Sequence, residues 1–177
     1  AQSDLYAGED VAVVEAAKRY YAEIMMPFRS FVQKNLAKLG ALDFDLICPS
    51  HGPVWDKPEI ILNAYADWSS DRLDNLVVLP YISMHGSTEK MADYLTSALV
   101  QRGVQVEKFE LSITDIGKLA MSLIHAATIV IGAPTVHVGP HPNVFAITQL
   151  ANMLRPKLKY AAIVGSYGWS TKVVEQL

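Results

Sequence analysis

The stretch NLVVLPYISMHGST, residues 75–88, decides the fold of this chain. Residues 75–82 form an apolar run that predicts a buried β-strand, and residues 87–102 follow with helical spacing that ends at Gly103. A short loop of hydroxyl, Gly and His residues lies between them. A strand, a tight loop and the first turn of a helix, in this order, predict the opening unit of a parallel α/β sheet.

The same alternation continues to the end of the sequence. Strands are predicted over residues 104–111, 126–134 and 158–168, and helices over residues 114–125, 142–154 and from Thr171 onward. Apolar strands that alternate with amphipathic helices indicate an α/β fold with a doubly wound parallel sheet covered on both faces. Four strand–helix units are visible, whereas the flavodoxin-like order 2-1-3-4-5 needs five strands. We therefore expect the fifth strand to be missing, which would leave the fourth as an unpaired edge.

The first third of the chain has a different pattern. Residues 10–39 have helical spacing, with Asp10 as the predicted cap and Pro27 at the first turn of a second helix that ends at Gly40. Residues 44–48, FDLIC, predict a short buried strand.

A rigid loop and a further helix complete this part. The strand leads into the loop PSHGP, residues 49–53, and Pro58 begins a helix that runs to about Trp68. The polar residues 69–75 are typical of a domain linker. The sequence lacks an initiator Met and starts without an obvious strand, which indicates either a processed or trimmed terminus or, as we expect, a sequence that begins inside a domain.

Composition excludes several classes of function. The formal net charge is −3 and no run of like charges occurs, so neither a nucleic-acid groove nor a polybasic membrane patch is predicted. The apolar stretches are too short to span a membrane. The one cysteine, Cys48, cannot form an internal disulfide or a thiolate cluster, which is in keeping with a reducing cytoplasm.

The loop SMHGST, residues 83–88, has the chemistry that a phosphate monoester requires. Free amides at a helix N-terminus donate hydrogen bonds, the helix dipole favours the dianion, and the hydroxyls add donors without charge. Neither GxxxxGK[ST] nor GxGxxG is present, so a triphosphate cradle and a dinucleotide fingerprint are not indicated. An ordinary helix cap made by Ser or Thr is the alternative interpretation.

Two more loops are predicted at the same sheet edge, where ligands of doubly wound sheets bind. They are APTVHVG, residues 133–139, and GSYGW, residues 165–169, and their glycine, hydroxyl and aromatic groups could flank a flat ring. Taken singly, Tyr167 and Trp169 could instead be core residues.

These motifs resemble those of a known family. VVLPYISMHGSTEKMA, residues 77–92, is similar to the FMN phosphate loop of flavodoxins, Ser/Thr-x-Thr-Gly-x-Thr, with His85 where Thr is usual. GAPT, residues 132–135, and SYGW, residues 166–169, resemble the flavin-flanking loops of flavodiiron proteins. Residues 170–172, Ser-Thr-Lys, depart from that family's Gly-rich run.

The first third of the chain resembles the same family. KRYYAEIMMPF, residues 18–28, and LICPSHGPVW, residues 46–55, are similar to the last helix and last metal loop of the flavodiiron metallo-β-lactamase-like αββα domain. The resemblance implies that residues 1–70 are the C-terminal part of that di-iron domain. It implies that residues 75–177 are a truncated flavodoxin-like FMN domain.

The resemblance also implies the site residues. His51 would be the last imidazole ligand of the di-iron site, although a lone His in such a loop is otherwise often a turn residue. The family's other metal ligands have no match here, so we expect the chain to be a fragment. The FMN phosphate and ring would be bound by Ser83, Met84, His85, Gly86, Ser87, Thr88, Pro134, Thr135, Val136, Ser166, Tyr167, Gly168 and Trp169.

For the intact protein, the resemblance implies a cytoplasmic reductase of O2 to water, of NO to N2O, or of both. FMN would take electrons from a rubredoxin-like or deazaflavin donor and relay them to the di-iron site, in a head-to-tail homodimer or higher oligomer. The fragment alone is not expected to be active. Three alternatives stay open: an FMN electron-transfer module without catalysis, a flavin-dependent quinone reductase, and a hydrolase of the metallo-β-lactamase fold.

Overall fold

A computed structural model describes residues 5–177 and divides the chain into two compact units, Ala1–Arg72 and Leu73–Leu177. The division falls within the predicted linker of residues 69–75. The first four residues of the predicted first domain lie outside the described residues. The assignment of residues 1–70 and 75–177 to two named domains remains a prediction.

The first unit is built mainly from helices. Helix α1 (Val11–Tyr20) continues through a π-helical turn (Tyr21–Met25) and a 3-10 turn (Met26–Phe28) into α2 (Arg29–Leu39), and α3 (Pro58–Ser69) follows. The Asp10 carboxylate accepts a hydrogen bond from the Ala12 amide at 2.9 Å, so the predicted cap is confirmed. Pro27 lies in the 3-10 turn before α2 instead of at the first turn of α2.

Three aromatic side chains form the centre of this unit. The Tyr21 ring lies 5.5 Å from the Tyr65 ring and 5.6 Å from the Trp68 ring, measured between centroids, and its hydroxyl donates to the Trp68 carbonyl at 3.3 Å. Burial raises the pKa of the Tyr21 phenol to about 12. Tyr21 is fully buried, so these contacts join α3 to the π-helical turn after α1.

The prediction of a buried strand over residues 44–48 is wrong. Only Ile47 pairs there, through a single antiparallel bridge to Trp55, and Leu46 and Cys48 are exposed. A strand needs a continuous ladder of partners to satisfy its backbone groups. Within the described residues the segment has that one bridge, and the predicted strand is therefore an irregular connection.

The second unit is an open sheet with helical crossovers. Its strands are β1 (Asp74–Tyr81), β2 (Gln105–Glu110), β3 (Ala126–Val136), β4 (Gly139–Pro140) and β5 (Tyr160–Ser166), and its helices are α4 (Ser87–Val100), α5 (Ile116–Ser122), α6 (Pro142–Leu154) and α7 (Val173–Gln176). The order β2-β1-β3-β5 is parallel throughout, and the short β4 pairs antiparallel with the end of β3. The predicted doubly wound α/β fold is confirmed, and β5 is the fourth predicted strand.

The bounds of helix α5 and strand β3 differ from the predicted ones in ways that local contacts help to explain. Helix α5 begins at Ile116 and not at the predicted residue 114 because Asp115 caps it by accepting from the Gly117 amide at 2.9 Å, and it ends at Ser122, before the predicted residue 125. Strand β3 continues past the predicted end at Pro134, since Thr135 and Val136 pair with β4.

Strand β1 lies at the centre of the core. Val78 and Leu79 are both fully buried although their side chains point to opposite faces of the sheet. Leu79 belongs to a cluster with Val77, Tyr81 and Ala92 on the α4 side. Strand β1 is thus covered on both faces, which its apolar run predicted.

Strand β5 lies at one edge of the sheet. Among the residues that the structure describes, its one strand partner is β3, and its first residue, Tyr160, is 67% exposed.

None of the described helices combines the length and apolar character that crossing a membrane requires.

Glycines allow β1, β3 and β5 to approach closely. A Cβ atom on Gly132 of β3 would lie 2.5 Å from the Tyr81 Cβ, and one on Gly165 of β5 would lie 2.0 Å from the Ala133 carbonyl oxygen. Both distances are far inside van der Waals contact. Side chains at these two positions would therefore force the strands apart.

We predict that Leu79→Ala lowers the free energy of unfolding by about 2–5 kcal/mol, because it removes a fully buried side chain from the centre of the sheet. Ile113→Ala is the matched control, since Ile113 is 84% exposed and its truncation should change stability by about 0.5 kcal/mol or less. Urea unfolding followed by circular dichroism measures both. Equal effects would contradict the central position of β1.

Gly165→Ala should destabilise the protein by about 1–3 kcal/mol, because the added methyl meets the backbone of β3 and not a movable side chain. Gly168→Ala is the control, as a Cβ there has no heavy atom within 4 Å. Thermal melts of the two variants make the comparison. A stable Gly165→Ala protein beside a wild-type-like Gly168→Ala protein would show that β3 and β5 are farther apart.

Candidate functional site

The carboxyl ends of β1, β3 and β5 meet at one edge of the sheet. The Ser87 and Ser166 hydroxyl oxygens lie 3.4 Å apart, which joins the loop after β1 to the end of β5. The Thr135 hydroxyl donates to the Thr171 hydroxyl at 2.9 Å, which joins the end of β3 to the segment after β5. The structure therefore brings together the three loops that were predicted to form a site.

The loop after β1 presents free amides at the start of α4. Gly86 is the N-cap residue, with φ +80°, and no side chain caps the helix. The first intrahelical bond runs from the Lys90 amide to the Gly86 carbonyl at 3.0 Å, so the amides of residues 87–89 precede it. The alternative of an ordinary Ser or Thr cap is therefore wrong, because the left-handed glycine occupies the cap position.

Two hydroxyl groups in this loop are shielded but unpaired. Thr88 is fully buried, and neither its Oγ1 atom nor the Ser83 Oγ atom has a hydrogen-bond partner. Across residues 5–177 these two are the buried side-chain polar atoms that lack one. An unsatisfied buried hydroxyl costs about 1–3 kcal/mol, so such atoms commonly mark a place that a ligand or ion completes.

The remaining residues of this loop are open to solvent. Met84 is 52% exposed, and His85 and Ser87 are exposed as well.

Burial raises the pKa of the Tyr81 phenol at the end of β1, while Lys108, whose Nζ lies 5.4 Å from the ring centroid, acts in the opposite direction. The buried Tyr81 side chain is therefore neutral, and it lies just before the loop in the chain.

The residues predicted at the end of β3 lie within the strand and not in a loop. Pro134 is buried, and Thr135 and Val136 are half-buried members of the β3–β4 hairpin. The turn of this hairpin consists of His137 and Val138. Both follow the predicted positions Thr135 and Val136 directly, and the strand had been predicted to stop at Pro134.

The aromatic residues after β5 are not core residues. Tyr167 is 65% exposed and Trp169 is 93% exposed. Core packing, the alternative considered for each of them, is therefore wrong. Their apolar surface remains free to contact a ligand.

A cavity of about 530 Å³ lies between the β3–β4 hairpin and the segment after β5. Its size is in the range of small-molecule pockets. Three of its lining residues were predicted site residues, namely Thr135, Gly168 and Trp169, and three were not, namely His137, Val138 and Ser170. His137 and Val138 belong to the predicted loop of residues 133–139 although they were not among the named site residues, whereas Ser170 lies just beyond the predicted loop of residues 165–169.

The residues of this edge fit a phosphorylated flavin. The loop after β1 offers two unpaired hydroxyls and helix-start amides, which suit a phosphate dianion. The cavity between the other two loops carries an exposed indole and peptide groups, which suit the face and edge of a flat ring.

His51 lies in the other unit, on the loop of residues 49–53. It is exposed, and its ring centroid is 6.0 Å from that of Tyr20. Gly52 has φ +87°, so the loop turns sharply just after the imidazole. His51 also lines a largely apolar cavity of about 560 Å³ between α1, α2 and α3.

The described residues do not by themselves provide a di-iron site. No three His, Cys, Asp or Glu side chains within residues 5–177 lie together as a metal-binding group. Each iron needs several ligands, and one imidazole cannot supply them.

No family model matches the chain. A nitric oxide reductase of Moorella thermoacetica is 34% identical to it over 170 residues, which cover 93% of this chain and 43% of the relative. Rubredoxin oxygen:oxidoreductase of Desulfovibrio gigas superposes with a TM-score of 0.90 at 28% identity, over 99% of this chain and 46% of that one. The flavodiiron protein of Giardia intestinalis gives a TM-score of 0.89 at 26% identity, over 98% and 44%.

The chain thus spans less than half the length of each of these proteins. The similarity nevertheless extends over both of its units and not over the sheet alone. The proteins that this chain is similar to in sequence and in structure are therefore flavodiiron proteins and related oxidoreductases.

Proposed function

We propose that this chain is the FMN-binding, C-terminal part of a flavodiiron oxidoreductase. The observation that carries the proposal is the pair of shielded, unpaired hydroxyls, Ser83 Oγ and Thr88 Oγ1, beside the free amides at the start of α4. A phosphate monoester offers acceptors for both hydroxyls and for the amides, and it is stabilised by the helix dipole. The similarity to flavodiiron proteins supports FMN over other phosphate esters.

Different residues would bind the two ends of the cofactor. Residues 83–88 would hold the phosphate, and Gly86 permits the sharp turn that directs the amides toward it. Thr135, Gly168 and Trp169 would frame the ring, with Pro134, Val136, Ser166 and Tyr167 beside them. When bound, FMN supplies the ability to accept and release electrons singly or in pairs.

The activity proposed for the whole protein follows from its relatives. Reduction of NO, of O2, or of both is the proposed reaction, because the similar proteins include a nitric oxide reductase and a rubredoxin oxygen:oxidoreductase. A rubredoxin-like or deazaflavin donor, a head-to-tail homodimer and a cytoplasmic location belong to the same proposal. His51 would contribute one ligand to a di-iron centre, and residues 5–177 hold no group of three metal-binding side chains that could complete it.

The phosphate site is tested with the paired variants Ser83→Ala and Thr88→Val. Each should weaken FMN binding about 10- to 150-fold, because a hydrogen bond to a charged group contributes about 1.5–3 kcal/mol. Ser97→Ala is the control, since this hydroxyl lies on the same helix and donates to the Asp93 carbonyl at 2.9 Å. Fluorescence quenching of added FMN measures the Kd values. Wild-type affinity in both loop variants would refute the phosphate site.

The metal ligand is tested in a protein of the relatives' length. His51→Ala should lower the iron content while FMN stays bound, because the imidazole and the flavin loops belong to different units. His141→Asn is the control, because His141 caps α6 and Asn keeps a capping side chain there. Metal analysis and the flavin spectrum are the measurements. Unchanged iron would remove His51 from the site, and FMN without iron in the wild type would favour the electron-transfer module.

A further inference from the structure

The loop of residues 83–88, called the phosphate loop below, contains one titratable side chain, that of His85. The loop has no Lys or Arg, and its other donors are hydroxyls and backbone amides, which are neutral. A phosphate monoester carries a charge between about −1.5 and −2 near neutral pH. Within this loop, a full positive charge opposite that phosphate requires a protonated His85 imidazole.

The His85 side chain is exposed beside polar groups that lack partners. Thr88 is fully buried with an unpaired Oγ1 atom, and Ser83 has a shielded Oγ atom that is also unpaired. Gly86, with φ +80°, turns the chain into α4 directly after His85. A phosphate that contacts both hydroxyls and the free amides of α4 therefore lies next to the residue that carries the imidazole.

The His85 ring has no role inside the protein that would compete with a ligand. Among residues 5–177 it makes no hydrogen bond, ion pair or ring contact. Two other histidines are engaged: the His125 Nδ1 atom lies 3.4 Å from the Lys157 Nζ atom, and the His141 Nδ1 atom accepts from the Asn143 amide at 3.2 Å. His85 is thus free to meet an anion from the solvent.

Other charged groups belong to the elements around the phosphate loop. The titratable residues are Glu89 and Lys90 on α4, Glu110 and Asp115 near the end of β2, His137 and His141 between β3 and α6, and Tyr167 and Lys172 after β5. Glu110 accepts a hydrogen bond from the Ser112 amide at 3.2 Å, and Asp115 caps α5. All of these groups are unchanged by a substitution at residue 85, so a comparison of variants at that position isolates the imidazole.

We propose that His85 is a proton-dependent cation of the phosphate site and makes the retention of FMN depend on pH. An imidazole takes up its proton between about pH 5 and 8, and an imidazolium adds an ion pair to the hydrogen bond that it donates to a phosphate oxygen. The contribution of His85 to FMN binding is therefore complete at low pH and is lost as the pH rises and the imidazole loses its proton. The inference rests on the proposed function, because it assigns one more contact to the phosphate end of the same cofactor.

The test compares the wild type with His85→Gln, which keeps a hydrogen-bond donor and removes the charge. At about pH 6, the variant should bind FMN about 2- to 5-fold more weakly than the wild type, which is the range of an exposed ion pair. At about pH 8 the two Kd values should agree within about 1.5-fold, because the imidazole is then neutral. The measure is the ratio of the two Kd values, since the phosphate of FMN itself takes up a proton near about pH 6.

A second variant makes the charge permanent. His85→Lys should bind FMN about 2- to 5-fold more tightly than the wild type at about pH 8, because the ammonium stays protonated there. Riboflavin has the ring but no phosphate, so its Kd should be the same in all three proteins at both pH values. His141→Asn is the matched control for the loss of a histidine, since Asn keeps a capping side chain on α6, and it should match the wild type throughout.

Fluorescence quenching measures the affinities, and melts of flavin-free protein at both pH values show that each variant is folded. A His85→Gln effect on FMN that appears at low pH and is absent for riboflavin would support the proposal. Wild-type FMN affinity of both His85 variants at both pH values, beside a preference of the wild type for FMN over riboflavin, would overturn this inference alone. Equal affinity of the wild type for FMN and riboflavin would overturn the phosphate site and this inference with it.

Discussion

The candidate site depends on how closely β1, β3 and β5 approach one another where they end. Parallel strands place all their carboxyl ends at one edge, and the loops that follow them must share the space above it. Gly132 and Gly165 remove the side chains that would separate the strands, since a Cβ at either position would overlap a neighbouring strand. The 3.4 Å separation of the Ser87 and Ser166 hydroxyls is consistent with this spacing.

Stability and binding oppose each other at this edge. The Thr88 hydroxyl is fully buried without a partner, and Ser83 has a second shielded hydroxyl in the same loop. The His137–Val138 turn adds backbone strain on the other side. Features of this kind each cost about 1–3 kcal/mol in the free protein. Unpaired buried groups and strained backbone are concentrated at binding sites, where a bound ligand offsets the loss of stability.

In the first unit, by contrast, the central buried hydroxyl has a hydrogen-bond partner. Its aromatic centre pairs the buried Tyr21 hydroxyl with the Trp68 carbonyl, so the polar group is satisfied within the protein. His51 stands apart from this centre on a loop that Gly52 turns sharply.

Residues 44–48 show how far an apolar run depends on its neighbours, because without a second partner strand it keeps a single bridge and exposes Leu46.

Much of the second unit could be predicted from its sequence. The alternation of apolar strands and amphipathic helices determined the α/β class and the four parallel strands. The run SMHGST determined where an anion could bind, because hydroxyls and amides at a helix start are a local property. Predictions of this kind succeed because burial periodicity and helix-start chemistry depend on residues that are close in sequence.

Tertiary structure alone decided which of these groups meet. No sequence pattern shows that Ser83 and Thr88 are shielded without partners, that Trp169 is exposed instead of buried, or that Val138 is forced to positive φ. Each of these properties arises from contacts between segments far apart in sequence, such as the bond from Lys172 to Val138. Such contacts exist only once the strands have been placed side by side, because burial, strain and hydrogen-bond partners are set by the neighbours that the fold supplies.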